Sequence, residues 1–341
     1  MFGRSKRVLA LDIGSSEIKA LEVMDTGSGI ALTGFQSTKI GSQNETIFAV
    51  KELLRKGNFK TKRCVTAVSG RSVIVRYVTM AQMPIEDLRQ AIKFEADKYI
   101  PFEVDEVIMD TQILEDNVGE SGSPEMKVLL VAVRKSLVEE HLALLNDAGL
   151  TPSIIDVDAF CLGNAFEARA RAQGGLAPEK VVALIDIGAN KTNINILKGK
   201  TSYFTREVYL AGNDFTEAVS RKFNLDTQEA ERLKCEPGDQ AAEVEEAILP
   251  TLDDLGNEIQ LSFDYFENQF DRVVEEVYIS GGSARLPGLQ RAFEGAFEKS
   301  VVFWNPLEGI DIRQGIDMKL LNQYACQLAV GVGLATRGRR W

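Results

Sequence analysis

Histidine is nearly missing from this sequence of 341 residues, where His141 stands alone. It falls in "SLVEEHLALLNDAGL", an amphipathic helix pattern stopped by Gly149, with no nucleophile motif beside it. A Ser-His-Asp mechanism therefore has no support. Cysteine is also sparse. Cys64, Cys161, Cys235 and Cys326 lie far apart, with no Cys-x-x-Cys or Cys/His cluster, so neither a zinc site nor a disulfide framework is indicated. Buried reduced thiols are the expectation.

Long apolar runs and basic blocks are lacking too. The longest apolar stretch, "VLLVAV" from Val128 to Val133, falls far short of the roughly 18 residues of a membrane helix. Arg4, Lys6 and Arg7 precede an apolar run as in a signal peptide, but Val8 to Leu11 is too short and Asp12 interrupts it. A cytosolic, soluble chain is expected. The net charge of −11 argues against a nucleic-acid binder, which needs a concentrated basic surface to neutralise phosphates.

What the chain does contain is a repeated oddity. "VLALDIGSSEIKALEV" (Val8 to Val23) and "VVALIDIGANKTNINIL" (Val181 to Leu197) each run an apolar strand into Asp-Ile-Gly, then a small polar turn, then a second strand. The two aspartates, Asp12 and Asp186, are 174 residues apart, about half the chain, which predicts two similar domains in tandem. A carboxylate ending a buried strand is costly unless something pairs with it, and a divalent cation is an economical partner. Gly14 and Gly188 are expected to adopt positive φ and bring backbone N–H groups close to an anion. Ser15, Ser16, Asn190, Lys191 and Thr192 offer further donors. Two such turns facing each other form a split phosphate clamp, with Asp12 and Asp186 holding Mg2+ through its waters. In "ISGGSARLPGL", Gly281 and Gly282 follow a strand and precede a helix, as expected where backbone lies flat against an adenosine.

In this order of loops, with the connector "VDAF" and a final small-residue helix, the chain resembles the actin/Hsp70/sugar-kinase ATPases. The implied fold is α/β, with duplicated ribonuclease-H-like domains around a nucleotide cleft. Within that superfamily, "MPIEDLRQAIKFEADKYIPFEVDEVIMDTQIL" is similar to the type IV pilus assembly family PilM, itself similar to the cell-division protein FtsA. The resemblance implies ATP and Mg2+ as ligands. It places Asp12, Gly14, Ser15 and Ser16 in the first phosphate loop, and Asp186, Gly188, Asn190, Lys191 and Thr192 in the second. Asp158 would orient an attacking water or merely cap a helix, and hydrolysis is expected to be slow at most. Gly212 and Asn213 would approach the phosphates. Glu231 and Lys234, one helical turn apart, would touch ribose and adenine, or form a plain surface ion pair. Gly281, Gly282 and Ser283 would complete the pocket.

The expected division is 1–63 plus 150–178 for the first core, 64–149 for an inserted interaction subdomain, 179–210 plus 272–341 for the second core, and 211–271 for a helical insertion. The family implies partners as well, the cytoplasmic tail of an inner-membrane PilN-like protein and, indirectly, the pilus assembly platform and its motor ATPase, with the chain peripheral at the membrane and able to form a homo-oligomer or ring. Ile85, Leu88, Tyr99 and Phe102 are expected to line the groove for that tail, with Ile92 shared between groove and core. Two alternatives are an FtsA-like polymer former tethered to membrane and a small-molecule kinase. The end "GLATRGRRW" carries Arg337, Arg339, Arg340 and Trp341 but is too short for an amphipathic anchor, and no sugar-binding motif replaces the pilus-like stretch.

Overall fold

The computed structural model describes residues 7–27, 29–41, 45–116 and 124–337. Most of the polar hairpin loop after Asp116, and Arg339, Arg340 and Trp341 of the tail, lie outside the described residues.

The first core opens with β1 (Arg7–Ile13), β2 (Glu17–Asp25), β3 (Ile30–Lys39), α1 (Thr46–Gly57) and β4 (Arg63–Val68). The inserted subdomain follows, with β5 (Val73–Ala81), α2 (Ile85–Glu95), β6 (Val107–Asp116) and β7 (Glu125–Arg134). The chain returns through α3 (Lys135–Asp147), β8 (Thr151–Val157) and α4 (Asp158–Ala172). The second core and its insertion comprise β9 (Val181–Ile187), β10 (Thr192–Lys198), β11 (Thr201–Val208), α5 (Gly212–Phe223), α6 (Thr227–Cys235), α7 (Ala241–Phe270), β12 (Glu276–Ser280), α8 (Leu289–Phe297) and β13 (Val301–Phe303). The chain closes with β14 (Asp311–Ile312), α9 (Met318–Tyr324) and α10 (Ala329–Arg337).

Two sheets carry the duplication. One runs β14-β3-β2-β1-β4-β8 and the other β11-β10-β9-β12-β13, so the order β3-β2-β1-β4-β8 recurs strand for strand. β1 and β9 sit at equivalent central places, antiparallel to the next strand in sequence and parallel to β4 and β12. Their near-continuous apolar sequences follow from burial on both faces.

The two halves share an apolar layer. Val8, Ala10 and Leu21 of the first sheet and Val182 and Leu184 of the second enter one cluster with residues of α4 and α10. Phe166 of α4 meets Tyr278 and Trp304 edge to face, with centroids 4.7 and 5.5 Å away. Small residues let α10 lie close to α4. A Cβ on Gly333 would stand 1.9 Å from the carbonyl oxygen of Cys161.

The borders of the parts differ from the expected division. β4 pairs with β1 and β8, and Leu145 of α3 packs with Leu9, Leu11 and Cys64, so both elements belong to the first core and the insertion reduces to β5 through β7. At the other end β14, assigned by sequence to the second core, pairs parallel with β3. A two-residue strand leaves too little periodicity to be read. Cys64 and Cys161 are buried as expected, whereas Cys235 is exposed at the end of α6.

The inserted sheet has the order β5-β7-β6. Leu88 and Ile92 of α2 pack on the face built from Met126, Val128, Leu130 and Ala132 of β7. The intervening residues Leu129, Val131 and Val133 point to the other face.

Candidate functional site

Each Asp-Ile-Gly turn is a tight hairpin whose glycine N–H donates back across it. Gly14 donates to Glu17 O at 3.1 Å and Gly188 to Lys191 O at 3.0 Å. Neither glycine has positive φ, contrary to expectation. Glycine is required because a Cβ would lie 2.7 Å from Glu17 O in the first turn and 3.0 Å from Lys191 O in the second. The constraint is steric.

Between the turns lies a cluster of opposed charges. Lys19, one strand across from Asp12 in the register, places Nζ 3.4 Å from Asp12 Oδ2. Burial disfavours its charge, yet Asp12, Glu17 and Asp186 together hold the Lys19 pKa above its usual value. Asp186 accepts Ser280 Oγ at 2.8 Å. Burial pushes its carboxyl up to about 6, with Ser280 and Lys19 opposing the rise and Asp12 and Asp158 adding to it. Ser15, Ser16 and Asn190 are exposed at the turn tips, and the Asn190 amide oxygen accepts from Asn213.

Lys191 points across to acids instead of standing free. Its Nζ donates to Asp158 Oδ2 and to Glu207 Oε1, both at 2.7 Å. Burial works against its charge, but these two carboxylates hold its pKa up. Asp158 starts α4 without capping it, since its Oδ2 accepts from Lys191 and from Asn193 Nδ2 at 3.3 Å. Burial raises its pKa against the pull of Lys191. Asp158 Oδ1 is buried with no hydrogen-bond partner. Thr192 is fully buried and its hydroxyl donates to Leu210 O at 2.8 Å, so its side chain braces the turn.

The expected adenosine side assembles around the start of α5. Gly212 N donates to Gly188 O at 3.0 Å and Asn213 N to Ala189 O at 2.8 Å, which docks that helix end on the second turn. Ser283 Oγ donates to the same Gly188 O at 3.2 Å. Gly281 has φ +104°, and its Cβ would lie 2.3 Å from Ile187 O, so backbone here needs glycine on both counts. Gly282 is exposed beside it.

Lys234 is not a surface group. At 4% exposed it donates to Gly212 O at 2.9 Å, Thr216 Oγ1 at 2.8 Å and Glu231 Oε2 at 2.6 Å. Burial opposes the Glu231 charge, but Lys234 and Thr216 hold its pKa below the usual range. The pair ties α6 to the first turn of α5.

The cleft thus collects Asp12, Asp186, Asp158 and Lys191. Among the described residues no three His, Cys, Asp or Glu side chains converge as a ready metal cage. That donor set suits an ion whose shell is completed by water and phosphate. Lys19 and Asn193 escaped the sequence reading. Each is a polar residue inside an apolar strand seven positions after its aspartate, a signal the repeat itself displays.

A second concavity lies where the inserted subdomain meets the first core and the β10–β11 turn of the second, a cavity of about 720 Å³. Ile108 and Leu114 of β6 and Val131 and Val133 of β7 form one side, with Ile155 of β8 and Phe160 of α4 opposite. Its polar end includes Arg337, whose Nε is 3.2 Å from Asp156 Oδ2. None of Ile85, Leu88, Tyr99 or Phe102 lines it. Leu88 is fully buried in the subdomain core, and Ile85, Tyr99 and Phe102 pack against that same core. Ile85, Leu88, Tyr99 and Phe102 thus lie on the α2 side of the inserted sheet, and this cavity lies on the other. "VLLVAV", apolar on both faces of β7, was the sign that the second face is also covered or used.

A duplicated core with paired hairpins across a cleft is the actin-like ATPase fold. The chain shares it with MreB5 of Spiroplasma citri, solved bound to ADP, at TM-score 0.54 and 11% identity over 98% of this chain and 99% of that one. A family model for the type IV pilus assembly protein PilM matches residues 10–339, and the chain belongs to that family. A solved PilM–PilN type IV pilus biogenesis complex contains a chain 30% identical, with 98% of this chain and 99% of that chain covered at TM-score 0.85. The cell division protein FtsA of Bacillus subtilis (strain 168) is 22% identical over 377 residues, 94% of this chain and 84% of that protein. Among the described residues no helix is long and apolar enough to cross a membrane.

Proposed function

We propose that this protein is an ATP-binding adaptor of the type IV pilus inner-membrane platform, held at the cytoplasmic face by the tail of a PilN-like protein. The observation that carries the nucleotide half is the facing pair Asp12 and Asp186 with Lys19 between them. Gly14, Ser15 and Ser16 receive phosphate from one side, and Gly188, Asn190 and Lys191 from the other. Asp12 and Asp186 would hold Mg2+, through its waters, and the ion would supply charge neutralisation to the phosphates. Gly212, Asn213, Glu231, Lys234, Gly281, Gly282 and Ser283 bound the adenosine side. The buried, unpartnered Asp158 Oδ1 supports a role in positioning water, with hydrolysis slow at most.

The tail is assigned to the cavity of about 720 Å³, whose apolar walls and polar end fit an extended peptide with a few apolar side chains. Likeness to the PilM–PilN complex supports this choice of partner. Fluorescence anisotropy of the labelled PilN-like tail, and titration of a fluorescent ATP analogue with Mg2+, test the two halves separately. Saturable binding of each is expected. Absence of tail binding overturns the adaptor reading, and absence of nucleotide binding overturns the cleft assignment.

A further inference from the structure

The second phosphate turn is fastened to both sides of the groove through one ammonium group. Lys191 Nζ reaches Asp158 Oδ2 at 2.7 Å, in the first turn of α4, and Gly163, Asn164 and Glu167 further along α4 line the groove. The same Nζ reaches Glu207 Oε1 at 2.7 Å. That oxygen also accepts Gly70 N–H at 2.9 Å, in the turn from β4 to β5 where the inserted subdomain leaves the first core. Glu207 Oε2 accepts the Tyr209 hydroxyl at 2.9 Å, and the Tyr209 ring lies 5.0 Å from the Arg71 guanidinium. Gly70 has φ +94°, so this turn is a shaped backbone site, not a slack loop.

We infer that Lys191 and Glu207 are positioning residues that make the groove's affinity for its peptide depend on whether nucleotide fills the cleft. The inference rests on the cleft and groove assignments above. An ammonium shared between two carboxylates is drawn away when a polyphosphate enters the turn at 188–192, because the phosphates present more negative charge at the same distance. Glu207 then stays partly buried without its cation, held only by Gly70 N–H and Tyr209 OH. Its position relaxes, and with it the root of the inserted subdomain. Asp158 loses the same cation on the α4 side. The two walls cease to share one anchor, so the groove differs between the two states. Linkage makes the effect mutual: the tail changes nucleotide affinity by the same factor as nucleotide changes tail affinity.

The test uses the full chain. Tail affinity is measured by anisotropy with no nucleotide and with saturating Mg2+ and a non-hydrolysable ATP analogue. The wild type is expected to show a difference of at least about fivefold, at the lower end of typical coupling. Glu207→Gln keeps the side chain's shape and acceptor oxygen but weakens the hold on Lys191, and should bring the ratio within about twofold of one while both ligands still bind. Tyr77→Phe is the control. It removes the Tyr77 hydroxyl contact to Ser202 Oγ at 3.2 Å, a tie between the same two parts that bypasses Lys191, and should retain the wild-type ratio. An unchanged ratio in Glu207→Gln, or a ratio of one in a wild type that binds both ligands, overturns the relay and leaves the adaptor reading standing. Failure of the wild type to bind either ligand overturns both.

Discussion

Lys19 and Asn193 occupy the same position in two hairpins, the first opposite Asp12 across β1 and β2, the second opposite Asp186 across β9 and β10. The duplication has kept the geometry and split the chemistry. One copy offers a cation beside its carboxylate, and the other an amide whose Nδ2 supports Asp158 at 3.3 Å.

Lys19→Met, which removes a charge, should therefore cost nucleotide affinity far more than Asn193→Ala, which removes none. Without the ammonium, Asp12 and Asp186 repel each other and the incoming phosphates. A loss of about tenfold or more is expected on the scale of one charge-assisted contact. Fluorescent-nucleotide titration reads it, and unchanged affinity would remove Lys19 from the site.

Asp186 gives a pH dependence of definite sign. Its folded pKa of about 6 lies above the unfolded value, so between the two the folded chain holds more protons and lower pH favours folding through this group. The charged form, needed near Mg2+, is lost over the same range. Mg-nucleotide affinity should thus fall as pH drops through about 6. Asp186→Asn, whose amide oxygen can still accept from Ser280, should raise stability at pH 7 by about 2 kcal/mol or less. That advantage over wild type should shrink towards pH 4, as followed by thermal denaturation. A constant difference across pH would contradict the assignment.

Lys234→Met should destabilise the protein by about 1.5–3 kcal/mol, because it removes the hydrogen bonds of a buried ammonium to Gly212 O, Thr216 Oγ1 and Glu231 Oε2. Arg232→Met, two residues away and exposed, should change stability by no more than about 0.5 kcal/mol. Urea unfolding of the two variants distinguishes a structural tie from a surface ion pair.

For the groove, two substitutions separate binding from folding. Leu88→Ala should cost about 2–5 kcal/mol as a large-to-small change in the subdomain core. Ile108→Glu, at a groove residue half exposed, should leave the melting temperature nearly unchanged and weaken the tail by about tenfold or more. Normal tail binding by Ile108→Glu would place the tail elsewhere.

The hairpin pair and the carboxylates at their ends were legible because strand period and turn chemistry are local. So was the helical insertion, where Asp226 and Glu229 form a reciprocal cap at the start of α6. Lys19 was not, since its position matters only once β1 and β2 are in register. The groove residues were hidden for a related reason. Helical period marks Leu88 and strand period marks Val131 as apolar-side residues, but only the packing of α2 reveals which face of β7 the helix covers and which it leaves to the cavity. β14 was hidden by its length of two residues.

The nearly bare contact between Gly333 of α10 and the backbone of Cys161 in α4 has a mechanical meaning. Interlocked side chains act as gear teeth and must disengage before helices can turn on each other. A glycine laid on backbone has no teeth there. At that point the two halves are held by backbone fit alone, while Phe166 with Tyr278 and Trp304 supplies the interlocking elsewhere in the same layer, so a side chain at 333 would pry apart a seam that its neighbours hold shut.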